Sequence, residues 1–268
     1  MINKKIIFII LLVISYNINA QVNLWNNKSC AVVLTYDDAL NTHLDNVIPL
    51  LDSLGFKATF YLSGFFPGFS NRLNDWRKAA ANGHELGNHT LFHPCIGNME
   101  GREWVKPDYD LSKYSIQRIT DEILMNNIVL EAVDGKKRRT FAYTCGDTLA
   151  GDSSYVKIIK ENFPAARGVN YFHQKINEID LFNIGCYVVN GQSADELIDL
   201  VKYAMNNNTL LVFLFHGVGG EHPINISLET HKKLLEFLKA NENNIWITTF
   251  LDVADFIRKY RTKSETFK

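Results

Sequence analysis

Three short stretches of this chain hold residue types suited to acid–base or metal chemistry. Thr35-Tyr36-Asp37-Asp38 sets two carboxylates side by side, directly after the apolar run Ala31-Val32-Val33-Leu34. Adjacent carboxylates are costly to bury without a cation near them, although as an isolated pair they are common in solvated turns. His89-Thr90-Leu91-Phe92-His93 places two imidazoles where they can share one ion on a helical turn or tight loop. Zinc hydrolases commonly use two histidines and one carboxylate and leave a position open for water; the same facial set accepts iron, cobalt or nickel. The zinc-peptidase version needs Glu directly after the first histidine, where this chain has Thr90. His84-Glu85 does not supply it, because His89 stands one residue too far on. His216 follows the apolar run from Leu210 to Phe215. At the same end of a sheet as the Asp pair it is a candidate general acid. His222, in the Gly-rich loop beyond, reads as polar loop chemistry, and His43, His173 and His231 read as surface residues.

The elements that must carry these groups alternate strand with helix. An unbroken run such as Ala31 to Leu34 marks a strand buried on both faces, as in a parallel sheet. In α/β sheets and barrels, ligands and catalytic groups collect at the carboxyl ends of such strands. The stripe Leu44, Val47, Ile48, Leu51, Leu54 predicts a helix ending at Gly55, with Pro49 kinking it or confining its regular part to the second half. Further strands are predicted over 57–62, 84–88, 140–143, 166–169, 184–189, 210–215 and 245–250. Helices are predicted over 72–82, 115–133, 153–163, 193–205, 227–240 and 252–260, the fourth of these opened by the capping box Ser193-x-x-Glu196. Residues 96–114 read as a long polar loop bearing Trp104, Tyr109 and Tyr114. Seven or eight strands alternating with helices predict a mostly parallel sheet, closed or nearly closed into a barrel, in a single domain over 21–268.

Composition narrows the functional classes. Hydrophobic residues make up 46% of the chain, enough for one large core, and a net charge of −1 gives no reason to expect a nucleic-acid surface. The first twenty residues differ from the rest. Lys4 and Lys5, an apolar run from Ile6 to Ile14 and a short polar stretch to Ala20 predict an export signal over 1–20. That run is too short for an ordinary membrane span, so the mature chain is expected in the periplasm or outside the cell, with no membrane span of its own. Cys30, Cys95, Cys145 and Cys186 allow a bridge without fixing its connectivity, and the absence of a C-x-x-C spacing leaves a cysteine zinc site unsupported.

Taken together, Thr35-Tyr36-Asp37-Asp38, His89-Thr90-x-x-His93-Pro94 and Leu214-x-His216 stand in the order and spacing of the polysaccharide deacetylase (NodB-homology) family, which the chain resembles from about Ala31 to its C-terminal helix. The resemblance implies a distorted (β/α) barrel of seven or eight mostly parallel strands and metal-dependent removal of acetyl groups from an oligo- or polysaccharide. It implies Asp37 as catalytic base, and Asp38, His89 and His93 as ligands of one divalent ion, zinc first, with cobalt, nickel or iron as alternatives. It implies His216 as general acid and Leu214 as lining for the acetyl methyl. The third motif departs from the common pattern. Phe141-Ala142-Tyr143-Thr144-Cys145-Gly146 has Ala142 where many members carry arginine, and resembles the Phe-Ala-Tyr-Pro branch with Thr144 in place of proline. The Cys145 amide could still serve as oxyanion donor, with Tyr143 beside it and Trp104 on the long loop as substrate contacts. A cation beside a catalytic Asp favours its ionised form, and Arg167 is the candidate to replace the missing arginine. The family's Trp-containing fourth motif is not recognisable. Two rival readings remain. A metal-independent amidohydrolase of related fold would lose the metal ligands, and a non-catalytic sugar-binding barrel fits poorly with the intact set Asp37, Asp38, His89, His93 and His216.

Overall fold

The computed structural model describes residues 24–170 and 174–266; the expected export signal and His173 lie outside the described residues. Eight parallel strands form the main sheet: β1 (Cys30–Asp37), β2 (Thr59–Leu62), β3 (Glu85–Asn88), β4 (Phe141–Ala142), β5 (Ala166–Arg167), β6 (Tyr187–Val188), β7 (Leu210–Phe215) and β8 (Ile245–Thr248). Seven of them run in the order β5-β4-β3-β2-β1-β7-β6 and curl into a half-barrel, with β8 joined to β1. The Gly168 N–H donates to Ile184 O at 2.9 Å and the Ile184 N–H to Ala166 O at 3.0 Å, which links the β5 end of the curl to the segment leading into β6.

β1 is the hub. One edge pairs with β7 from Ala31 to Tyr36. The other is divided, Cys30–Val33 pairing with β8 and Thr35–Asp37 with β2. Successive side chains on a strand point to opposite faces, and both faces of β1 are covered. Val32, Leu34 and Tyr36 pack outward with Phe60, Trp76, Phe213 and Leu234. Ala31 and Val33 pack inward with Val212, Leu214, Phe250 and Val253, so the closing helix plugs the floor of the curl.

The helices are α1 (Ile48–Leu54), α2 (Leu73–Ala81), α3 (Ile116–Asp134), α4 (Val156–Asn162), α5 (Ala194–Asn207), α6 (Leu228–Ala240) and α7 (Phe250–Thr266). Pro49 has no N–H to continue an α-helical ladder behind it. The turn before α1, His43–Val47, is accordingly π-helical and the regular helix is confined to the second half. Gly55 and Gly135 close α1 and α3 in the left-handed conformation, which costs a residue without Cβ nothing.

Three expectations need correction. α4 begins at Val156, because Ser153–Ser154 pairs antiparallel with Leu149–Ala150 in a small hairpin. His43 and His231 are buried, not at the surface. His43 Nε2 donates to His216 O at 2.8 Å, and His231 Nε2 lies 2.8 Å from the Tyr36 hydroxyl. Burial lowers their pKa values to about 4 and about 3, so both rings are neutral in the folded protein at neutral pH.

Candidate active site

The carboxyl ends of β1, β3, β5 and β7 converge on one cavity of about 230 Å³. Asp37 is the last residue of β1, and the chain turns sharply after it: Asp38 and Ala39 have φ of 76° and 52°, in the left-handed region. The Asp38 N–H donates to Tyr61 O at 3.2 Å, which fixes the turn to β2. Asn88 ends β3, and its side-chain oxygen accepts from the Thr90 N–H at 2.8 Å. The Thr90 hydroxyl then accepts from the His93 N–H at 3.0 Å. Thr90 and His93 also have positive φ, 61° and 55°. Non-glycine residues held there cost on the order of 1–3 kcal/mol each, a cost commonly met at functional sites.

Asp38 lies between two pairs of imidazoles. Its Oδ1 is 3.7 Å from His89 Nε2 and 3.3 Å from His93 Nε2; its Oδ2 is 3.8 Å from His216 Nε2 and 3.7 Å from His222 Nε2. The ligand atoms of Asp38, His89 and His93 lie close enough to share one ion. His89 Nδ1–H donates to Ala142 O at 2.9 Å, which leaves the Nε2 lone pair facing the site. Asp38 Oδ1 is buried without a hydrogen-bond partner, as an oxygen reserved for a cation would be. Burial by itself would raise the Asp38 carboxyl, but His93, His216, His89 and His222 around it bring it down to about 2, while burial lowers His89 to about 4. An ionised carboxylate and neutral imidazoles are the protonation states a divalent ion requires, so the residues present fit one.

Asp37 Oδ2 is 2.5 Å from Arg167 Nη2, and Arg167 is fully buried at the end of β5. The structure thus brings Arg167 to the carboxylate that the missing arginine leaves open. Asp37 Oδ1 makes no hydrogen bond. His216 directly follows β7; burial lowers its pKa, and its Nδ1 is buried without a partner. Leu214, Val188 and Val169 form an apolar wall, and Tyr143, Cys145 and Trp104 complete the lining. Cys145 has φ of 54° and is bonded to Cys95 in a disulfide, so it tethers the loop that carries His93. The Thr144 hydroxyl donates to Pro94 O at 2.5 Å, a second tie between the same two loops. Cys30 and Cys186 are free and buried.

His222 belongs to the site and was not singled out from the sequence. Its Nδ1 lies 3.0 Å from the Ile224 N–H and 3.2 Å from Ile224 O, contacts that hold the ring with Nε2 toward Asp38. Its ring stacks on His216 at 4.6 Å and 12°. Glu221 holds this loop to the β1 turn by accepting from Asn41 Nδ2 and the Thr42 N–H, both at 2.7 Å. With Asp38 and His216, His222 forms a second group of ligand atoms close enough to share an ion. Of the long-loop aromatics, Trp104 reaches the cavity and Tyr109 a neighbouring one, whereas Tyr114 is buried under the Arg118 guanidinium at 3.7 Å.

Comparison with known proteins bears on the fold and the family. A gellan lyase of Bacillus sp. is 28% identical over 193 residues, which cover 72% of this chain and 7% of that protein. The chain therefore spans only a small part of that curated relative. Among solved structures, a probable polysaccharide deacetylase of Pseudomonas aeruginosa PAO1 superposes with a TM-score of 0.61 at 9% identity, over 87% of this chain and 92% of that one. BA3943 of Bacillus anthracis, described as a pseudoenzyme of the CE4 family, superposes with a TM-score of 0.51 at 19% identity, over 86% and 66%. At these identities the likeness is one of fold. The sequence profile described as Polysaccharide deacetylase matches residues 26–161, the half of the chain that supplies Asp37, Asp38, His89 and His93, and the chain belongs to that family.

Proposed function

We propose that the protein is an exported, metal-dependent hydrolase that removes acetyl groups from an extracellular or cell-wall glycan. One observation carries this reading: Asp38, His89 and His93 converge beside a second carboxylate, Asp37, which has one oxygen bonded to Arg167 and the other free. A divalent ion held by Asp38, His89 and His93, zinc first, would polarise the acyl carbonyl and acidify a water. Asp37 Oδ1 takes the proton of the attacking water while Oδ2 stays bonded to Arg167. The backbone N–H of Cys145, which lines the cavity, would donate to the oxygen that gains charge. His216 Nε2 gives a proton to the departing amine or alcohol. The proton taken by Asp37 balances the one given by His216. Leu214, with Val188 and Val169, excludes water from the acetyl methyl, and Tyr143 and Trp104 close the cavity around the sugar. The Phe-Ala-Tyr-Pro branch fits the Ala142-Tyr143 pair and leaves the cation to Arg167.

Because a pseudoenzyme shares this fold, activity rests on the side chains and must be measured. Acetate release from N- and O-acetylated glycans is expected with the metal-loaded protein, to vanish after chelation and to return with a divalent ion. Release that survives chelation would overturn the metal's role. A fully metallated protein that binds glycan and releases no acetate would leave the sugar-binding reading.

A further inference from the structure

Asp38 has two carboxylate oxygens, and each faces its own pair of imidazoles. Oδ1 is directed at His89 and His93, the set that would hold the ion of the reaction. Oδ2 is 3.8 Å from His216 Nε2 and 3.7 Å from His222 Nε2, and the ligand atoms of these three residues lie within 4.8 Å of one another. Both contacts are too long for hydrogen bonds, which need about 2.7–3.2 Å. They are close to the edges of a coordination shell, since zinc–ligand arms of about 2.1 Å in a tetrahedron set neighbouring donors about 3.4 Å apart. Three separate elements hold the set. Asp38 stands on the turn of positive φ after β1. His216 directly follows β7, and its carbonyl oxygen accepts from His43 Nε2 at 2.8 Å. His222 lies on the loop that Glu221 ties to Asn41 and Thr42, and its ring stacks on His216 at 4.6 Å and 12°. With its proton on Nδ1, the His222 ring donates to Ile224 O at 3.2 Å, the outer contact that a metal-ligating imidazole uses. Both histidines line the cavity and are partly exposed, so an ion can reach them from it.

We propose that Asp38 Oδ2, His216 and His222 form a second divalent-ion site, and that an ion there inhibits the hydrolysis. The inhibition rests on the deacetylase reading above; the site itself does not. One atom links the two. His216 Nε2 is the proton donor to the departing group, and with its lone pair on an ion it has no proton to give. Asp38 would then bridge two ions, an arrangement that sets them about 3.5–4 Å apart. Charge makes the second site the weaker. Arg167 already balances Asp37, so Asp38 alone faces two dications. His216 Nδ1 also has no hydrogen-bond partner to raise the basicity of its ring. The first ion therefore binds at low metal and the second only at excess. A third cluster among the described residues, His93 with Cys95 and Cys145, offers no thiolate while its sulfurs are joined in the disulfide.

The test counts ions. Protein kept free of reductant is dialysed to equilibrium against rising zinc, and bound metal is measured. Acetate release from N-acetylated chitin oligomers and O-acetylated xylan oligomers is followed at the same zinc levels. Wild type should bind two ions, the second at least about tenfold more weakly, because it meets the charge of the first. Acetate release should rise with the first ion and fall about a hundredfold as the second site fills, the low end of what a general acid contributes. His222→Ala and His222→Phe should each bind one ion and lose the fall, read within each protein as release at excess zinc over release at one equivalent. Phenylalanine keeps a ring on His216 and removes both nitrogens, so it separates ligation from packing. A single ion in the wild type at excess zinc, or a second ion retained by His222→Phe, overturns the site. Loss of both ions from folded His222→Phe would place His222 in the first site and overturn the second. Release that does not fall as the second ion binds overturns the inhibition. Two ions in the wild type and one in both variants, with no acetate released at any zinc level, keep the site and overturn the deacetylase reading.

Discussion

At the scale of residues, the two adjacent carboxylates divide the chemistry between them. Asp37→Asn should keep the bound ion and lose turnover by about 10²–10⁴-fold, as expected for a general base. Asp38→Ala or His89→Ala should lose ion and turnover together. Metal analysis of the purified variants decides it, and an Asp37→Asn protein that loses metal while Asp38→Asn keeps it would reverse the two roles. Arg167 bears on the same pair. Its guanidinium is wholly buried against Asp37 and 5.1 Å from the Tyr61 ring centre. Arg167→Met strands a buried carboxylate, which should cost about 3–5 kcal/mol in denaturant unfolding. Arg167→Lys should recover little, because an ammonium lacks the planar fork. An unfolding midpoint unchanged in Arg167→Met would remove the pair from the stability of the site. The Asp pair, the two ligand histidines and His216 were legible because each sits in a short pattern beside a strand end. Arg167 could only be nominated, since its partner lies 130 residues away in sequence. His222 gave no signal within its loop. His231 gave one that was passed over: with Leu234, Leu235 and Leu238 it completes a buried helical stripe.

At the scale of elements, short loops hold the site and one covalent bond joins two of them. The Cys95–Cys145 bridge closes a span of 50 residues across β4 and α3. Its reduction, or Cys95→Ser with Cys145→Ser, should lower stability by about 2–4 kcal/mol and loosen His93 relative to Cys145. Unfolding in urea with and without reductant measures the first, and ion affinity the second; unchanged values for both would make the bridge incidental. Gly68 is the other fixed point. A Cβ there would stand 1.9 Å from Ala39 O, so Gly68→Ala must displace the turn that aims Asp38. Helix limits were readable where a cap announces them, as at Ser115, Gly135 and the Ser193–Glu196 box. The paired parts of β4, β5 and β6 were overextended in the sequence reading. Each has two residues in the ladder, because the curl of the sheet, not strand propensity, decides how far neighbours stay in register.

At the scale of the whole molecule, buried neutral histidines should make the fold acid-sensitive. Burial holds His43 and His84 at about 4 and His231 at about 3, against about 6.5 in an unfolded chain. Between those values the unfolded chain binds more protons than the folded one, so stability present above about pH 6.5 is lost as pH falls toward 4. Each histidine can contribute up to about 3 kcal/mol to that loss. The melting temperature of metal-free protein should fall steeply from pH 7 to 4.5, and His231→Leu should flatten the slope; a level profile in the wild type would refute the account. The position of β1 in the sheet bears on a different matter, the timing of folding. Its neighbours on one whole edge and half of the other are β7 and β8, made more than 170 residues after β1 begins. Contacts so distant in sequence must meet their closure entropy before they return anything. A growing chain therefore leaves residues 31–34 of β1 without their neighbours on either edge until residue 215 has emerged, although Thr35–Asp37 can pair early with β2. A truncation ending at residue 208 should show no amide protection over residues 31–34. Under the proposed export, such late closure would leave the chain open for passage through a membrane channel before it folds.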